Sequence, residues 1–262
     1  MSFTPVIPLR GYQGWTFLNR TMEAQKNAFL ADPAIRRATT AFESRISGVT
    51  TAADLVADRQ LLDVALTAFG LEGDIDARAF IRKVLDEGTR SDGAFATRLA
   101  DKRYAAIARA FGFGDAGPRT GLPGFAEEII GRFQARRFEA AVGQVDDNLR
   151  RALNLRQGMA DIFATVSSPD ARWFAVMGDL PLRGVFEGAL GLPREIGKLD
   201  IDLQLDTFKS RFSEVFGTTD LGVLTDRAEQ EKLVRLFLVR ADAATGAATA
   251  RGTIALQLLA SA

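Results

Sequence analysis

Asp58-Arg-Gln-Leu61-Leu-Asp-Val64-Ala-Leu-Thr-Ala68-Phe-Gly70-Leu71 and Asp179-Leu-Pro-Leu182-Arg-Gly-Val185-Phe-Glu-Gly-Ala189-Leu-Gly191-Leu192 are two copies of one pattern. Six residues recur at a single offset. In each copy an Asp precedes apolar residues spaced three and four apart, which places them on one helix face. A Gly then stands where a left-handed residue closes a helix, followed by an apolar residue that packs back, which is Schellman chemistry. A looser third copy reads Asp101, Tyr104, Ile107 and Ala110-Phe111-Gly112-Phe113, one residue shorter; there, chance echo among Gly-terminated helices is the competing explanation. The helix before it matches as well, with Asp92, Phe95 and Leu99 aligning with Asp170, Trp173 and Met177. A duplicated helical unit argues for stacked helix pairs rather than for a catalytic cleft.

Helical spacing extends outward from these copies. Trp15, Leu18, Met22 and Phe29 share one face, and Asp32-Pro33 restarts the chain as N-cap and first helical residue. Thr51-Ala-Ala-Asp54 reads as a capping box. Helices are expected from about Asp76, from Ser91 to Phe111, from Phe125 to about Met159, from Ser168-Pro169, from Leu203 to Phe216 and from Asp226 to Ala244. Along the longest of these, Glu128, Asp146 and Asp147 precede Arg132, Arg150 and Arg151 by four residues, the favourable order for helical pairs. The expectation is an all-α, multi-helical protein of two related halves with little or no sheet. Residues 1–113 form the first half, the glycine- and proline-rich 114–124 a linker, 125–240 the second half and 241–262 an Ala/Thr/Gly-rich tail, in which Ile254, Leu258 and Leu259 offer a last docking face.

Composition removes much chemistry. The 262 residues hold 33 Lys plus Arg, 33 Asp plus Glu, and neither His nor Cys. That excludes Ser-His-Asp triads, HExxH metalloprotease sites, thiolate nucleophiles, disulfides and cysteine zinc sites. Zero net charge gives no global pull toward a polyanion, and the Arg-Arg pairs at 36–37, 136–137 and 150–151 lack interleaved aromatics, so no nucleic-acid partner is expected. No run of about eighteen apolar residues exists to form an integral membrane segment. Met-Ser-Phe-Thr-Pro-Val-Ile-Pro-Leu-Arg has no charged n-region ahead of an apolar core and is not read as a signal peptide, so synthesis in the cytoplasm is expected.

Few residues nominate a site. Gly112-Phe-Gly114-Asp-Ala-Gly117 fits GxGxxG but follows a helix and precedes Pro118, so it reads as linker. Asp200, Asp202 and Asp206 offer oxygens to a hard cation, yet Leu205 and Arg211 stand where an EF-hand needs Gly and Glu. Asp58, Asp101 and Asp179 are placed equivalently by the repeat. They are either carboxylates lining a shared groove or helix-junction caps, and capping is favoured. With 19 Phe and 2 Tyr, aromatics serve mainly as core filler, and Tyr12 and Trp15 are the candidates for an exposed anchor, against core burial as the default. No catalytic residue, metal or cofactor is nominated.

In combination, Asp32-Pro33, Thr51-Ala-Ala-Asp54-Leu55-Val56-Ala-Asp58, Ala68-Phe69-Gly70-Leu71, Phe80-Ile81, Val84-Leu85, Phe95-Ala96 and Leu99-Ala-Asp101-Lys-Arg-Tyr104 resemble the alphaproteobacterial domain-of-unknown-function family DUF1217, often encoded among flagellar genes. The resemblance continues more weakly through Trp173, Asp179, Leu182 and Gly191-Leu192-Pro193 and spans roughly residues 29–240. It implies a helical fold and a connection with flagellar structure, export or assembly, where a chain without a cleaved signal is also compatible with export. The expectation is a non-enzymatic protein with protein partners; the alternative is a small-molecule or ion-binding module using inter-helix grooves and the repeated Asp residues.

Overall fold

The computed structural model describes residues 3–260, which hold thirteen α-helices and no strand. In chain order these are α1 (Gly11–Leu30), α2 (Pro33–Arg45), α3 (Ala52–Ala57), α4 (Arg59–Ala68), α5 (Arg78–Glu87), α6 (Phe95–Arg98), α7 (Arg103–Phe111), α8 (Phe125–Val145), α9 (Asp147–Thr165), α10 (Pro169–Gly178), α11 (Leu180–Leu190), α12 (Ile201–Phe216) and α13 (Arg227–Ala260). The all-α expectation holds. None of the described helices is long and apolar enough to cross a membrane.

Two compact units divide the chain, Met1–Pro5 with Met22–Ala141 and Val6–Thr21 with Val142–Ala262. The division at 141/142 does not coincide with the expected linker at 114–124. That glycine- and proline-rich segment lies inside the first unit because its polar groups are satisfied there. Buried Thr120 donates its hydroxyl to the Val49 carbonyl at 2.6 Å, and the Asp115 carboxylate accepts from the Thr89 and Arg90 N–H groups at 2.6 and 2.9 Å. Burial pushes the Asp115 carboxyl up, and these bonds outweigh it and hold it below the ordinary carboxylate value.

Within the first unit, α2, α3, α4, α5 and α7 bury Phe42, Leu55, Leu62, Leu66, Ile81, Val84 and Ile107 in one core. Phe111 closes it edge-on against Phe125 at 5.2 Å. The second unit centres on Trp173, whose ring meets Phe212 edge-on at 5.2 Å and whose indole N–H donates to the Thr219 carbonyl at 2.9 Å. Its helix α11 lies close to two neighbours because glycines stand at the contacts. A Cβ on Gly188 would fall 2.7 Å from Phe237 of α13, and one on Gly158 of α9 would fall 2.9 Å from Leu182 of α11.

Three expected helices are broken or displaced. Ser91–Phe111 resolves into α6 and α7, since Leu99 is extended (φ −65°, ψ 140°) and Lys102 donates to the freed Thr97 and Leu99 carbonyls. Phe125–Met159 is α8 and α9, parted at Asp146, whose extended backbone (φ −152°, ψ 112°) lets its carboxylate accept from the Asn148 and Leu149 N–H groups. Asp146 is therefore a cap and not the partner of Arg150; Asp147 takes both Arg150 and Arg151. The Glu128–Arg132 pair forms at 3.5 Å. In the third difference, residues 241–260 continue α13. Whether Ile254, Leu258 and Leu259 dock lies outside the described side chains, and residues 261–262 lie outside the described chain.

Candidate functional site

The repeated Asp residues occupy nearly the same geometry. Asp58 joins α3 to α4 with φ −93°, ψ 101°, and Asp179 joins α10 to α11 with φ −95°, ψ 104°. Each is the last cap of one helix and the first of the next. Asp58 Oδ1 accepts from the Gln60 and Leu61 N–H groups at 3.0 and 3.2 Å, and Asp179 Oδ1 accepts from Leu182 N–H at 3.0 Å. The free N–H groups of a first turn need such acceptors, and the positive end of the helix dipole favours a carboxylate there. Asp58 additionally pairs with Arg45 at 2.6 Å.

The far ends of the two helices match as well. Gly70 (φ +72°) and Gly191 (φ +66°) take the left-handed conformation, and Leu71 and Leu192 each donate back to the carbonyl five residues earlier, Leu66 and Glu187, at 2.9 Å. A guanidinium satisfies further end groups in each unit, with Arg103 donating to the Gly70 carbonyl and Arg240 to the Ala189 carbonyl. The third copy is looser in structure too. Gly112 (φ +74°) closes α7 by a single bond to the Ala108 carbonyl, the simpler left-handed cap. Asp101 lies two residues before α7, accepts from Arg103 N–H at 3.0 Å and grips the Arg103 guanidinium, with Nη2 at 2.6 Å. Burial raises the Asp101 carboxyl, but the bonds from Arg103 prevail and hold it below its ordinary value. These carboxylates serve helix ends and neighbouring guanidiniums, each within its own unit.

Trp15 is fully buried rather than exposed, and its indole N–H donates to both Glu231 carboxylate oxygens at 2.8 and 3.0 Å. Tyr12, one turn earlier on α1, is half-buried. Asp200 caps α12 by accepting from Asp202 N–H at 3.0 Å. Among the described residues no three carboxylates stand together as a metal site, so Asp200, Asp202 and Asp206 do not form one.

Sequence reasoning did not single out Leu180. It is the first residue of α11 and is 79% exposed, more than any other large apolar residue described. It edges an open groove in the second unit, lined also by Arg150 and Arg151 of α9, Arg183 and Glu187 of α11, and Gly197. The contrast that exposes it is internal: the first unit carries Arg59 at the equivalent place after its Asp cap, ion-paired to Asp76 at 2.7 Å. Aligning the residues after each cap Asp position by position, instead of matching identities alone, marks this difference.

The profile of a family described as protein of unknown function, DUF1217, matches residues 68–229. A crystal structure of a protein from Agrobacterium tumefaciens, 25% identical in sequence, is similar with a TM-score of 0.73 over 91% of this chain and 98% of that one. No curated protein matches the chain.

Proposed function

The chain belongs to the DUF1217 family of proteins of unknown function, and we propose that it is a non-enzymatic helical protein acting through protein–protein contacts in flagellar structure, export or assembly. The observation that carries this reading is the exposed Leu180 beside a line of guanidiniums, on a helix whose counterpart in the first unit presents an ion-paired arginine at the same place. Leaving a large aliphatic side chain in water forgoes about 1.5–3 kcal/mol of burial, which a partner surface recovers. The carboxylates the repeat nominated as groove-lining ligands are occupied as caps and ion-pair partners. The flagellar setting rests on the sequence resemblance to a family often encoded among flagellar genes.

An in-frame deletion in the native host tests it, scoring swimming and filament number and fractionating cytoplasm, basal bodies and medium. Impaired swimming or fewer filaments, with the protein recovered alongside flagellar material, is the expected outcome. Normal swimming with a purely cytoplasmic protein overturns it.

A further inference from the structure

We propose that the groove between α9 and the first turns of α11 is the docking site for an acidic, apolar-studded segment of a partner protein, with Leu180 as its hydrophobic anchor and Arg150 and Arg151 as its electrostatic counterpart. The proposal deepens the contact-protein reading and rests on it. Three features of the groove agree.

First, the apolar residue is not imposed by the fold. Asp58 and Asp179 hold the same backbone geometry, and the next residue is Arg59 in one unit and Leu180 in the other. The scaffold accepts a charged residue there, so the exposed leucine is a local feature of the second unit.

Second, positive charge is in excess at this place. The lining holds three guanidiniums, Arg150, Arg151 and Arg183, and one carboxylate, Glu187. Glu187 is engaged by Arg183 at 2.6 Å, whose other arm reaches Gln204 at 2.8 Å. Arg150 and Arg151 divide a single carboxylate, Asp147, at 2.6 and 2.8 Å. The lining thus presents more guanidinium than carboxylate to the groove, and a guanidinium takes a carboxylate through paired N–H donors.

Third, Arg151 is oriented before any partner arrives, by its ion pair with Asp147 at 2.8 Å. A Cβ on Gly184 would stand 3.0 Å from Arg151 Nη1, so this arm of α9 lies across a stretch of α11 that has no side chain to displace it. Fixing a long side chain in advance lowers the ordering cost of binding. Leu180 therefore supplies unspecific burial, and the arginines select the sign of charge on what is buried.

The test uses the full chain and a fluorescein-labelled synthetic helical peptide of about 18 residues, roughly five turns, with Leu at i, i+3, i+4 and i+7 and Glu on the remaining face. Its twin carries Lys in place of Glu. Anisotropy titrations should show the Glu peptide binding the wild type, more weakly as salt rises, and the Lys peptide binding at least tenfold more weakly. Leu180→Gln, which removes the aliphatic anchor without adding charge, and Arg151→Gln should each weaken the Glu peptide by about tenfold, about 1.4 kcal/mol. Unchanged circular dichroism and melting temperature keep both variants interpretable. Equal binding of the two peptides, no binding of the Glu peptide, or unchanged affinity in both variants overturns the proposal. So does sedimentation showing a wild-type dimer that Leu180→Gln dissolves, since the occupant is then a second copy. These outcomes are independent of the deletion phenotype, so the docking surface and the flagellar role fail separately.

Discussion

Replacing Asp58 and Asp179 in turn by Asn and by Ala separates capping from every other use of these carboxylates. At Asp179 a single side-chain oxygen accepts one first-turn N–H, and the structure gives it no guanidinium partner. Asn keeps that acceptor, so Asp179→Asn should cost no more than about 0.5 kcal/mol, whereas Asp179→Ala should cost about 1 kcal/mol. At Asp58 the carboxylate accepts from two N–H groups and also holds Arg45. The Arg45–Asp58 pair is partly exposed, with side-chain exposures of 42% and 28%, and such pairs contribute up to about 1 kcal/mol. Asp58→Asn should then lose about 0.5 kcal/mol and Asp58→Ala about 1.5–2 kcal/mol. In a chain of this size each kcal/mol moves the melting temperature by about 2–4 °C. Differential scanning calorimetry with urea titration reads both quantities. The discriminating comparison is Asn against Ala at Asp179: equal losses refute capping, and an Asp58→Asn loss as large as Asp58→Ala assigns Asp58 to its ion pair instead.

Further perturbations rest on the same geometry. Gly70→Ala and Gly191→Ala force a Cβ into left-handed backbone at φ +72° and +66° and should each cost about 1–2 kcal/mol, read as urea midpoints. Trp15→Phe removes the N–H from both Glu231 oxygens and should cost about 1–3 kcal/mol, with part recovered in the double variant Trp15→Phe/Glu231→Met. Tyr104 donates to Asp74 at 2.8 Å, and burial first, then that bond and the Asp74 charge, push the phenol up to about 12. A folded value above the unfolded 10.0 means this contribution is full below pH 10 and is lost as pH rises toward 12. Tyr104→Phe should therefore flatten the stability loss in that window, measured by urea titration at stepped pH.

Much of the fold was legible because it is written in local chemistry. Thr51 and Asp54 form the expected reciprocal capping box, and Asp32 caps the helix that Pro33 opens. Gly70 and Gly191 end their helices as the repeat implied. The parts that stayed hidden depend on choices that periodicity does not resolve. Asp146 stands four residues before Arg150 and also one before a new helix; both roles suit an Asp, and only the extended backbone at 146 decides. The unit division at 141/142 falls inside the continuous helix α8, whose helical pattern runs on across it. Trp15 belongs with Glu231, 216 residues away, a pairing that no local pattern encodes. On the surface, matching residues across the repeat pointed to the shared Asp caps, which hold the scaffold together, while the proposed contact lies at the mismatch beside them, Arg59 against Leu180.

Complementation of the deletion strain by Leu180→Gln, scored as swimming-halo diameter at matched protein levels, puts the contact account to its most direct test. Wild-type chain should restore swimming, and Leu180→Gln, with its fold intact, should leave the strain as impaired as the deletion. Full restoration by Leu180→Gln would contradict the account.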